Sequence, residues 1–169
     1  MKNSKYYKEY KICKNKYLKL KKQTGNITLY HGSPLRLEEI EQRLPRGNDV
    51  FDSQKGVYVT DDIMHAKLYA IARDPDRNNR GWAVVPYPDI DSEFQLLLNE
   101  NNSTNKLNDI GYLHIIEINK SDEDLEQHPE PKRKTEYVIK RNVIPNSIIT
   151  VTKDDIQDNI IYLSSDEIK

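Results

Sequence analysis

Short segments in which apolar and polar residues alternate, separated by turn-forming stretches, confine this chain to a fold built on sheet. In residues 27–31, Ile27, Leu29 and His31 fall on one side while Thr28 and Tyr30 fall on the other. Residues 57–59, 111–118, 136–140, 148–151 and 160–163 read as further strands. One helix is predicted from Asp61 or Asp62, either able to cap it, with an acidic first turn that suits the helix dipole, to about Arg73. A shorter amphipathic helix is predicted over 35–44. Residues 75–110, rich in Pro, Asn and Asp, read as an irregular insertion holding a strand over 82–85 and a short helix over 94–98. Strands outnumber helices and are joined mainly by loops, which gives an α+β domain with mostly antiparallel pairing. At 169 residues one core is the economical reading.

Charge divides the chain in two. Residues 1–24 hold nine Lys against one Glu; taken from the 26 basic and 27 acidic residues of the whole, this leaves 17 against 26 in the remainder. The expected organisation is a basic helical arm over 1–24 and one domain over 25–169. In the arm, Tyr6, Tyr10, Cys13, Tyr17 and Leu20 are spaced by alternating steps of four and three, a stripe that packs on the domain or serves a partner such as nucleic acid. Such Lys/Tyr-rich terminal segments are similar in composition to those of many giant DNA virus proteins. A lone cysteine, Cys13, excludes an internal disulfide and fits a reducing compartment. With no apolar h-region after the basic start and no apolar run long enough for a membrane span, an intracellular setting is expected, the cytoplasm of an infected host cell included, and no membrane partner.

The chemistry-bearing residues come in three pieces. Tyr30-His31-Gly32-Ser33 ends the first strand with a ring donor beside a glycine that lets a ligand approach the backbone. Gly56-Val57-Tyr58, with Tyr69 following eleven residues after Tyr58, supplies two aromatic faces. Thr135-Glu136-Tyr137-Val138-Ile139 places a carboxylate on a strand, where Glu136 and Val138 share one face and Tyr137 and Ile139 the other. The turn-rich loop 45–54 lies where it can cover a ligand. No metal-binding motif, Walker loop or GxGxxG turn occurs, so a nucleotide site here does not depend on a Rossmann turn.

In that order the three pieces resemble the His-Tyr-Glu signature of the diphtheria-toxin-like and poly-ADP-ribose-polymerase-like ADP-ribosyltransferases. The resemblance covers about residues 27–74 and 111–151. It implies a split β-sandwich with peripheral helices, an NAD cleft between two small sheets, and transfer of ADP-ribose from NAD to a protein, nucleic acid or small molecule. It further implies that His31, Tyr58 and Glu136 are catalytic. Glu136 would accept a hydrogen bond from the 2′-hydroxyl of the nicotinamide ribose and orient the acceptor. His31 would contact the adenosine ribose, Gly32 the nicotinamide amide through its backbone, and Tyr58 and Tyr69 the nicotinamide ring, with Ser33 in the same turn. Arg46 or Arg43 stands near enough in sequence to steady the pyrophosphate. Ala66 departs from the polymerase-like branch, which has a serine three residues before the second tyrosine, and this favours transfer of single units.

Each piece alone has a plainer meaning. Alone, His31 is a hydrogen-bonded structural histidine, Gly32-Ser33-Pro34 an ordinary turn, Tyr58 and Tyr69 strand and helix core residues, and Glu136 a surface strand charge. Antibiotic-modifying ADP-ribosyltransferases have a comparable Tyr-His-Gly start but usually Asp in place of Glu136. A binding module without catalysis, RNA 2′-phosphate transfer to NAD, and plain NAD hydrolysis are the alternatives. His65 is expected to be an exposed helical residue, and His114 a strand-surface one.

Overall fold

The computed structural model describes residues 25–43, 50–72, 82–86, 89, 92–99 and 107–163; the basic arm, Arg46 and part of the 75–110 insertion lie outside them. Strands β1 (Asn26–Ser33), β2 (Val57–Thr60), β5 (Ile110–Asn119), β6 (Leu125–Gln127), β7 (Glu136–Ile139) and β8 (Ser147–Thr152) form one sheet in the order β6-β7-β2-β1-β5-β8, antiparallel throughout. Strands β3 (Trp82–Pro86), β4 (Phe94–Asn99) and β9 (Ile160–Leu163) form a second sheet, in which β4 runs antiparallel to β3 and parallel to β9. Helix α1 spans Ile63–Ile71. The fold class is therefore α+β, as the alternating segments predict.

Alternation along each strand divides the core in two. Leu29, Val57, Val59, Ile116, Ile118, Tyr137 and Ile139 pack on one face of the large sheet, with Ile40 and Val143 closing over them. On the other face Leu113 and Val151 meet Ala66, Leu68, Ala70 and Ile71 of α1, and this cluster continues into Leu96 and Leu98 of β4. Nine residues of helix are too few to persist alone, so α1 depends on this packing. Its start is fixed by Asp62, whose carboxylate accepts from the His65 amide at 2.9 Å. No acidic residue lies in its first turn, so the expected dipole contribution comes down to the cap.

Three expectations need correction. Residues 35–43 are not a helix: the Leu35 amide donates to Ser33 Oγ, the Leu37 amide to His114 Nε2, and Ile40 and Arg43 form backbone bridges to Val143 and Gly56. Those tertiary partners take the donors that a helical ladder requires. Residues 94–98 belong to strand β4, because pairing on both sides buries Leu96 and Leu98 together. The polar stretch 121–134 holds β6 and a 3-10 turn, Pro131–Arg133, in addition to loop.

Candidate functional site

A cleft opens where β1 and β2 part. Their pairing is confined to the register Tyr30↔Thr60, whereas β1 pairs with β5 along all eight of its residues. Beyond that point the carbonyl of Tyr58 receives its hydrogen bond from the ring of His31, whose Nδ1 donates at 2.9 Å. By alternation His31 belongs to the Leu29 face of the sheet, and Tyr58 and Glu136 to the α1 face. The parting of the strands lets these residues line one space of about 480 Å³, in the size range of small-molecule sites.

Of the expected site residues, His31, Gly32, Ser33, Tyr58, Tyr69 and Glu136 all line this cleft, as do Arg43 and Ala66. Arg46 lies outside the described residues. Ser33 is buried, its hydroxyl accepting from the Leu35 amide, so it shapes the turn. Gly32 lies beneath α1: a Cβ there would stand 1.8 Å from the carbonyl oxygen of Ala66. Its glycine character is thus demanded by the helix crossing the strand, and the same holds at Gly111, where a Cβ would stand 2.2 Å from the Ala70 carbonyl oxygen.

The side chains are held firmly. Burial pushes the His31 imidazole down from 6.5 to about 4, and the nearby His114 and Arg43 act in the same direction against the hydrogen bond to Tyr58. The ring is therefore neutral at physiological pH, with its proton on Nδ1, and its Nε2 is buried without a hydrogen-bond partner. The Tyr58 hydroxyl lies 2.7 Å from the Gln54 carbonyl and 3.1 Å from that of Phe51, which ties the loop before β2 to the cleft. The Tyr69 ring lies 5.3 Å from that of His65 and is well exposed. Glu136 reaches the cleft from the first residue of β7, opposite Thr60. Tyr137 points the other way and donates to Asp61 at 3.2 Å, which fastens β7 to the turn before α1.

Two histidines differ from expectation. His65 is buried and lines the cleft, stacked on Phe94 with ring centroids 4.0 Å apart; burial lowers its pKa against the opposing pull of Glu136 and Asp62. A helix of mixed pattern gave no sign of which face would meet β4. His114 is fully buried, its Nδ1 donating to the His31 carbonyl and its Nε2 accepting from the Leu37 amide. It bolts the 34–40 segment to the strand that carries His31.

Sequence reasoning missed an ion trio. Arg133 donates through Nε and Nη2 to Glu136, at 2.9 and 2.6 Å, and through Nη1 and Nη2 to Asp52, at 3.0 Å each. All three line the cleft and are about a quarter exposed. Glu136 and Asp52 hold the guanidinium proton well above its ordinary affinity. The spacing of Arg133 three residues before Glu136 was a readable signal; nothing local marks Asp52. Among the described residues no group of three or more His, Cys, Asp or Glu is placed to hold a metal ion.

Fold and site together define an α+β domain with an aromatic-walled cleft at a split in its larger sheet. Compared with protein-family models, with curated proteins and with solved structures, the chain gives no match. No helix among the described residues is long and apolar enough to cross a membrane.

Proposed function

We propose that this chain is an NAD-dependent ADP-ribosyltransferase on a split β-sandwich, which cleaves the nicotinamide–ribose bond in this cleft and transfers single ADP-ribose units to a protein, nucleic acid or small molecule. The observation that carries the reading is the convergence of His31, Tyr58, Tyr69 and Glu136, from four separate elements, on one cleft. The charge distribution supports it. Arg43 lies toward His31, Glu136 and Arg133 lie toward His65, and all line the same cleft. The cleft thus offers both signs of charge to NAD, which joins an anionic pyrophosphate through ribose to a cationic pyridinium.

In this reading Tyr58 and Tyr69 offer ring faces to the nicotinamide, and the unpartnered Nε2 of His31 is an acceptor for a ribose hydroxyl. As nicotinamide leaves, positive charge develops on its ribose, as in glycoside hydrolysis. Glu136, fixed in place beside that ring, stabilises the charge more than it stabilises the ground state. The acceptor's nucleophile then bonds to the anomeric carbon and loses its proton. Purified protein is expected to release nicotinamide from NAD, and Glu136→Gln to lose most of that activity while remaining folded. Equal release by the two proteins would remove Glu136 from the mechanism.

One observation favours a second reading, a non-catalytic module that recognises NAD, ADP-ribose or a nucleic-acid end. Both carboxylate oxygens of Glu136 are engaged by Arg133, and Ala66 brings no hydroxyl to the nicotinamide amide. That reading expects NAD to raise the melting temperature with no nicotinamide released.

A further inference from the structure

Asp52 comes from the loop that precedes β2 and Glu136 from the start of β7, and Arg133 lies between them with one guanidinium edge on each. An arginine paired with one carboxylate is a neutral unit, which does little to stabilise a cation. Here two carboxylates share one guanidinium, so Glu136 keeps more of its own charge than it would in a one-to-one pair. The loop does not need the ion pair to stay in place: Phe51 is buried with its ring 4.4 Å from that of His128, and the Tyr58 hydroxyl holds the carbonyls of Phe51 and Gln54. Arg133 is likewise placed by its own 3-10 turn, with Pro131 at its start.

We propose that Asp52 is a positioning and charge-setting residue for Glu136: by holding the far edge of Arg133, it draws the guanidinium charge away from Glu136 and keeps that carboxylate more negative. The inference rests on the NAD reading of the site. Without Asp52, more of the charge of Arg133 falls on Glu136 and quenches it. Removing Arg133 as well relieves that quenching. The two residues should therefore show a characteristic non-additivity, with the double variant more active than Asp52→Asn alone.

The test compares wild type, Asp52→Asn, Arg133→Gln and the double variant for nicotinamide release from NAD, with a melting curve for each. Asp52→Asn is expected to lower kcat by about tenfold, with KM for NAD rising by a smaller factor, and the double variant to recover much of that loss. Wild-type kinetics in Asp52→Asn, or a double variant no better than it, would overturn the inference. If wild type binds NAD without cleaving it, the readout becomes the ratio of its affinities for NAD and NADH, whose nicotinamide ring is uncharged. Asp52→Asn should then narrow the preference for NAD by about twofold or more, and an unchanged ratio overturns the inference. A wild type that neither binds nor cleaves NAD refutes the NAD reading itself, and Asp52 falls with it.

Discussion

Acidification should destabilise this domain through His31, by an amount set by the downward shift of its pKa. The ring is held neutral in the folded chain, with a pKa of about 4, while the unfolded chain offers the ordinary 6.5. Below pH 6.5 the unfolded state binds the extra proton, so stability is full above that value, falls as the pH drops, and levels off for this group below about 4. Proton linkage places roughly 2 kcal/mol of this loss between about pH 7.5 and pH 5, and roughly 3 kcal/mol in total. Buried His65 and His114 add to the slope in the same direction. His31→Gln removes the titrating ring but keeps a donor for the Tyr58 carbonyl, and it leaves the other two histidines in place. Urea unfolding of wild type and variant at several pH values, compared as a double difference, isolates the His31 contribution. The variant's unfolding free energy should fall by about 2 kcal/mol less than that of wild type over that range. Parallel pH profiles would refute the claim that the folded domain excludes the charged ring.

Two further outcomes follow from the packing. Gly32→Ala drives a methyl into the Ala66 carbonyl and should cost roughly 2–3 kcal/mol in denaturant unfolding; a stable variant that merely loses NAD binding would mean that Gly32 serves the ligand and not the helix. Tyr58→Phe keeps the ring but releases the carbonyls of Phe51 and Gln54, and should cost roughly 1 kcal/mol. Hydrogen exchange of residues 50–54 should rise with it, and unchanged protection there would dissociate Tyr58 from the loop.

The sequence by itself determined the strands. Alternation is a local property, so residues 27–31, 57–59, 111–118 and 148–151 could be read as sheet, Asp62 as a cap, and Glu136 and Tyr137 as facing opposite ways. The motif residues His31, Tyr58, Tyr69 and Glu136 were equally legible as candidates. Only the tertiary structure decided that they meet, because β1 and β2 separate after one register and bring residues of opposite sheet faces to one cleft. The same holds for residues 35–43, where a helical pattern yields to partners distant in sequence such as His114 and Val143. It holds also for Gly32, which a local reading gives to a ligand and the structure gives to α1. The Asp52–Arg133–Glu136 trio had no sequence signature as a whole, since Asp52 is joined to Arg133 across 81 residues. Periodicity reports which side of a strand a residue takes. What lies across from it depends on how strands diverge and loops return, and contacts between distant segments settle that.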